Sequence, residues 1–425
     1  MASCKRALPP KHASRLEWRV ATAAELPCAA KIGFDAALEI VRASASPLGM
    51  ETVPLAKAGR RILALPVIAQ VDAPRRDCAA MDGFAVRSQD LQADVTRLRL
   101  SGESAAGGPV PALLRPGTAF RISTGAPMPP GADRVVMREY ARVDGNFVHV
   151  PPLSDKPHVR ARASDIARGT TLLAPGTRID ARAMVVASAA DLGAVTVWRR
   201  PRLRILANGD ELAEPGSAGT DADKVPDSLS EALLLMGRQW GAKPLGVSRT
   251  KDNSQDLRTA VSHALDDADV LVIAGGASDS HRDLARSALL PLGLQIHFAG
   301  VSMKPGKPIW YGKIARTHVL GLPGNPTAAL TTARLFMAPL LAALSGAGFH
   351  SALDWHQRRS VTDVAKGGDR DQFLCAYRDE NDRVQIIERQ EASAQMMLAT
   401  ADLLVERRRG ACGGAAGTLL RCLRF

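Results

Sequence analysis

Aromatic residues make up only 4% of the 425-residue chain, and its six cysteines form no C-x-x-C pair. Those cysteines, at positions 4, 28, 78, 375, 412 and 422, are too scattered for a disulfide framework and offer no zinc-ligand spacing. A reducing, cytoplasmic setting fits that usage. The G-x-x-x-x-G-K-[ST] and G-x-G-x-x-G patterns are missing, which disfavours the common nucleotide-binding classes. No run approaches the roughly 18 apolar residues of a membrane span, so none is expected. Acidic residues are in deficit: 43 Asp+Glu face 55 Lys+Arg, a formal net charge of +12. The basic residues are spread out, with Arg407-Arg408-Arg409 the longest run, and aromatics do not alternate with them as base-stacking surfaces require. The excess favours polyanionic or phosphorylated partners, but this scatter disfavours nucleic acid and is the pattern of ordinary solvated surface charge.

What is present describes a multidomain α/β plus β protein. Residues 1–28 carry Lys5, Arg6, Lys11, Arg15 and Arg19 without an apolar stretch, and read as a basic, disordered extension. Residues 29–200 read as a β-rich region of hairpins and small barrels. A helix over 33–45 opens it, and short strands are expected at 62–67, 84–86, 97–100, 119–122, 134–137 and 147–150. A helix over 181–191 closes it. From Pro201 the rhythm changes to alternating strands and helices: strands at 202–207, 243–247, 269–273, 295–301 and 318–322, and helices at 228–240, 254–267 and 327–344. Ser228 and Glu231 suggest a capping box on the first of these helices. Such a pattern implies a parallel sheet with helices on both faces over 201–347. Residues 348–425 read as a small C-terminal β domain, with strands at 372–377 and 384–387 and no assignment for 407–417.

Ligands of open α/β sheets bind beyond the carboxyl ends of the strands, so the loops there carry the chemistry. Gly209-Asp210-Glu211 follows the first strand. Gly275, Gly276 and Ser278 follow the buried strand, where glycines let the backbone approach a phosphate, and Asp283 stands further along. Lys304 and Lys307 sit in Lys304-Pro305-Gly306-Lys307-Pro308, a loop stiffened by prolines that makes a preorganised anion site. Pro323, Asn325 and Pro326 lead into the last helix, whose free N–H groups favour anions. In the β-rich region Asp82 and Thr124 stand in Met81-Asp82-Gly83-Phe84-Ala85-Val86 and Thr124-Gly125-Ala126-Pro127. Basic loops beside carboxylates suit a phosphorylated ligand held through a hard divalent cation such as Mg²⁺.

In this order and spacing the motifs resemble those of the MoeA and gephyrin-E-domain family, over residues 33–400. The resemblance implies a molybdopterin-binding α/β domain in an elongated homodimer of four-domain subunits. It implies, too, that the β-rich region divides into two intertwined subdomains, with an insert at about 71–158. It also implies Mg²⁺-dependent insertion of molybdate into adenylylated molybdopterin with release of AMP. By the same resemblance Asp82 and Thr124 enter the site from the partner subunit, and Asp165 matches a catalytic acid. Glu211 and Asp283 match acids that handle metal and pyrophosphate. Lys304 and Lys307 hold molybdate or phosphate, while Pro323 and Pro326 shape the wall beside them. Other cofactor-assembly proteins and apo-molybdoenzymes are the further partners it implies. The chain departs from the family at Arg162-Ala163-Ser164-Asp165, where R-G-E-D is usual, and at Asn208, Ser280 and Cys375. Together those departures point to a divergent paralogue with altered substrate handling as the alternative, and the lost carboxylate at Ser164 is the argument for a molybdopterin scaffold or carrier without turnover. A stand-alone adenylyltransferase is disfavoured by the β-rich region and its two motifs.

Overall fold

The computed structural model describes residues 32–91, 94–152, 156–275 and 284–425. The expected extension at 1–28, together with Gly276, Ser278 and Asp283, lies outside the described residues. The chain divides into two compact units: one is Gly49–Trp198, and the other joins the segment ending at Leu48 to Arg199–Phe425.

The Gly49–Trp198 unit is built on a six-stranded sheet in the order Arg134–Met137, Gly83–Val86, Thr118–Ile122, Thr96–Ser104, Phe147–Val150, Arg142–Asp144. Alternation along a strand sends neighbours to opposite faces, and here both faces are covered. Phe84 and Val86 join one core with Leu98 and Val148, whereas Ala85 joins the other with Phe120 and Val135. The expected strand at 62–67 is not formed. Pro66 has no N–H to donate, and the segment makes isolated bridges from Ile62 to Arg178 and from Leu63 to Val197 instead. The helix Ala181–Ala189 is capped by Asp180, whose carboxylate accepts from the Ala183 N–H.

In the second unit six strands run in the order Lys243–Thr250, Arg202–Asn208, Val270–Ala274, Thr317–Leu322, Trp310–Ile314, Gln295–Ala299. The first four are parallel, but Trp310–Ile314 pairs antiparallel with both its neighbours, so the sheet is mixed rather than wholly parallel. The hairpin escaped sequence reading because its two-residue turn is Ala315-Arg316, with Ala315 at φ 49°, rather than the glycine or asparagine such turns favour. The capping box is also not formed. Asp227 accepts from the N–H groups of Leu229 and Ser230 at the start of the helix Ser230–Gln239.

Pro326–Leu344 is one helix long and apolar enough, by length and composition, to cross a membrane, yet 94% of its apolar window is buried inside the protein. This differs from the expectation that no run is that apolar, and the burial makes it a core helix. A π turn at Ala333–Met337 precedes Pro339, which lacks the N–H that the ordinary ladder needs. Its Leu335, Phe336 and Leu340 share a core with Phe34 of the helix Phe34–Ser44, with Ile205 and Val272 of the sheet, and with Phe373 and Leu404 of the C-terminal strands.

The C-terminal sheet runs Met303–Lys304, Asp371–Arg378, Leu403–Arg407, Leu419–Arg424, Trp355–Arg359. Its first strand belongs to the Lys304–Pro308 loop: Met303 pairs with Asp371 and Lys304 with Gln372, in parallel. That pairing ties the lysine loop to the C-terminal domain.

Candidate functional site

In the Gly49–Trp198 unit, Asp82 and Thr124 meet, although they come from separate motifs. The Thr124 N–H and hydroxyl both donate to Asp82 Oδ1, at 2.6 and 2.9 Å. Those bonds, backbone first and then hydroxyl, hold the Asp82 carboxyl below its ordinary carboxylate range. The Thr124–Pro127 loop is tied to the same segment through Gly125 N–H to Ala79 C=O and Ala79 N–H to Ala126 C=O. The Arg162–Asp165 turn joins it too. The Arg162 N–H donates to Asp77 Oδ1 at 2.7 Å, and the Arg162 guanidinium pairs with Asp72. Asp77 and Asp72 escaped the motif reading, although both are acids flanking a proline-containing turn. Asp165 is exposed, and among the described residues its carboxylate accepts no hydrogen bond. Ala163 takes φ 59°, the left-handed region where glycine is the favoured residue.

In the second unit the strand ends Ala207, Ala274 and Leu322 lie in register side by side, so the loops that follow them gather at one edge of the sheet. Two cavities open there. The larger, about 420 Å³, is lined by Glu211, Gly275, Gly324 and Pro326, with Asp227, Ser393 and Gln395 among the residues completing it. Gly275 has φ 94°, and a β-carbon there would overlap the Asn208 carbonyl oxygen, so the strand must end in glycine at this point. Glu211 is exposed, and among the described residues its carboxylate accepts no hydrogen bond. Asn208, one of the departures, spends its amide inside the sheet: Nδ2 donates to Asp252 Oδ1 at 2.5 Å and Oδ1 accepts from the Thr250 hydroxyl at 3.0 Å.

The smaller cavity, about 170 Å³, brings Lys304 and Lys307 together with Pro323 and Asn325. Gly306 at φ 101° makes the turn between the lysines, and a β-carbon there would overlap the Thr332 methyl. Arg370 and Gln390 of the C-terminal domain line the same cavity. Neither was singled out from the sequence. Arg370 arrives because it precedes the strand that pairs with Met303–Lys304, a two-residue register without any periodic signal. Cys375, another departure, is buried, and burial pushes its thiol up to about 11, which suits packing rather than chemistry. Among the described residues no three His, Cys, Asp or Glu side chains cluster as a metal site.

A basic cavity beside a larger, mostly apolar one, at the carboxyl edge of an α/β sheet, is the arrangement of a ligand-binding α/β protein. Comparison with known proteins gives that class its family. Residues 32–193 match the MoeA N-terminal region (domain I and II), and residues 204–343 match a probable molybdopterin binding domain. A molybdopterin molybdenumtransferase of Nostoc sp. is 37% identical over 308 residues, covering 70% of each chain. One of Haemophilus influenzae is 30% identical over 302 residues, 71% of this chain and 74% of that one. The molybdopterin biosynthesis MoeA protein of Pyrococcus horikoshii superposes with a TM-score of 0.79 at 29% identity, over 93% of this chain and 99% of that one. The chain belongs to the MoeA family, a family of transferases of molybdenum-cofactor biosynthesis.

Proposed function

We propose that the chain inserts molybdate into adenylylated molybdopterin and releases AMP. The observation that carries this reading is the pair of adjoining cavities. Lys304, Lys307 and Arg370 supply concentrated positive charge in a space that fits one small oxyanion. The larger neighbour, walled by Gly275, Gly324 and Pro326, admits a bulky phosphorylated ligand. Preorganised cations hold molybdate and orient it.

Magnesium fits the donors present. Glu211 offers a hard oxygen donor at the larger cavity, and Mg²⁺ binds proteins through one or two carboxylates plus phosphate. Asp283 is the second donor that the family resemblance implies. When bound, the ion would offset charge on the phosphate oxygens. In this reading the enzyme is a cytoplasmic homodimer, and Asp82, with its carboxylate held ionised by Thr124, reaches the site of the partner subunit.

The test incubates the purified chain with adenylylated molybdopterin, Mg²⁺ and molybdate, then follows AMP release and activation of an apo-molybdoenzyme. Ligand binding without AMP above background would sink the turnover reading. It would leave the scaffold or carrier reading, which the missing carboxylate at Ser164 favours.

A further inference from the structure

The two cavities share a wall made of two short segments whose residues divide between them. In the turn before the long helix, Pro323 and Asn325 line the basic cavity, and Gly324 and Pro326 line the larger one. The loop that follows the strand Val384–Ile386 is divided likewise: Gln390 and Ala392 face the basic cavity, and Ser393 and Gln395 the larger. One end of this loop is anchored in its own domain. Gln390 Oε1 accepts from the Cys375 N–H at 3.0 Å, and Nε2 donates to the carbonyls of Cys375 and Ile387 at 2.8 and 2.6 Å. At the other end the Thr327 hydroxyl donates to the Ala394 carbonyl at 2.7 Å.

Thr327 is 1% exposed and stands directly after Pro326, in the first turn of the long helix. It lines neither cavity. Its hydroxyl lies where turn and loop meet, and it fastens the loop of the C-terminal segment to the long helix. We propose that Thr327 is a positioning residue that sets the width of the basic cavity, and so its fit to a tetrahedral oxyanion; this rests on the oxyanion reading above. Without the hydroxyl, the half-buried Ala394 carbonyl loses its donor and turns toward water, because an unpaired polar group is costly inside a protein. The loop moves with it, and Ala392 withdraws from the pocket that the lysines and Arg370 enclose.

The test compares the full-length chain with Thr327→Val, which keeps the shape without the donor, and Thr327→Ser, which keeps the donor. Molybdate binding is read by calorimetry, and KM for molybdate, kcat and Tm are read alongside. Because the ligand must then draw the released loop back, at a cost of about the worth of one such hydrogen bond, Thr327→Val should raise the molybdate Kd and KM about fivefold, with kcat at saturation within about twofold. Thr327→Ser should stay within about twofold of the parent in every parameter. The proposal is overturned if Thr327→Val lowers Tm with Kd unchanged, if both variants weaken binding alike, or if kcat falls while KM holds. A parent protein that binds molybdate but releases no AMP refutes the turnover reading alone, and the Kd comparison still decides the role of Thr327. A parent that binds no molybdate refutes both.

Discussion

His318 lies at the centre of a buried hydrogen-bonded chain, and its titration gives the stability a defined acid limb. The Tyr311 hydroxyl is 2.7 Å from His318 Nδ1 and 2.8 Å from Ser44 Oγ, so the chain links two strands to the end of the helix Phe34–Ser44. His318 is 3% exposed. Burial first, then the charges of Lys313 and His297, push its imidazole from 6.5 down to about 3, with Asp269 opposing weakly. The native ring is therefore neutral at ordinary pH, whereas the unfolded ring takes up a proton below about 6.5. The unfolded state binds the extra proton, so this contribution is complete above that pH and is lost as pH falls toward the folded value. Each unit of descent costs about 1.4 kcal/mol, so at about pH 5 the loss reaches about 2 kcal/mol. His318→Asn keeps an acceptor near the Nδ1 position and removes the titration. Amide hydrogen exchange in Thr317–Leu322, corrected for intrinsic rates, reads the opening free energy from about pH 7 to about pH 5. The parent should lose about 2 kcal/mol across that range more than the asparagine variant. Equal pH slopes in the two proteins would refute the reasoning.

On the proposed reading Arg370→Gln removes a charge-assisted contact to the anion and should weaken molybdate binding on the order of tenfold, measured by calorimetry; an unchanged Kd would remove Arg370 from the site. Gly275→Ala places a β-carbon against the Asn208 carbonyl at positive φ and should cost about 2–4 kcal/mol, read as a lowered unfolding midpoint. Ala163→Gly relieves a left-handed alanine and should stabilise by about 0.5–1 kcal/mol despite the added flexibility of glycine in the unfolded chain; a lower midpoint would show that the turn does not hold that strain.

The elements that reasoning from sequence found are those whose own composition specifies them. The strand Val270–Ala274 is an unbroken apolar run, and burial on both faces of the sheet requires one. Once that strand and Arg202–Asn208 are placed in a parallel sheet, the rule that ligands bind at carboxyl ends leads directly to Glu211, Gly275, Lys304 and Asn325. The cavities hold these four residues. Local capping was misread because Asp227, one residue ahead of Ser228, competes for the same N–H groups and brings a full charge that Arg249 balances. The hairpin was missed because tertiary packing of Trp310 and Tyr311 overrides a turn of poor local chemistry.

Arg370, Gln390 and Thr327 belong to a different class of omission. Each is placed by a contact that no local pattern announces: Met303–Lys304 against Asp371–Gln372 and Thr327 against Ala394 join segments of the α/β part to those of the C-terminal part, and Gln390 against Cys375 holds the C-terminal loop to its own strand. Periodicity reports which face of an element is buried, and a motif reports what a loop can bind. Neither reports which second loop closes on the first. The lysine loop is recognisable alone because two cations in a proline-stiffened turn already imply an anion. A pair of lysines on one loop leaves the other side of a tetrahedral oxyanion open to solvent, where screening weakens each contact. On the proposed reading that side is closed by the guanidinium of Arg370, brought in by the C-terminal sheet, and by a wall held at a set distance. On that reading the oxyanion site is built jointly from loops of the α/β sheet and segments of the C-terminal sheet, and substitutions that loosen their contact should weaken the anion before they unfold either sheet.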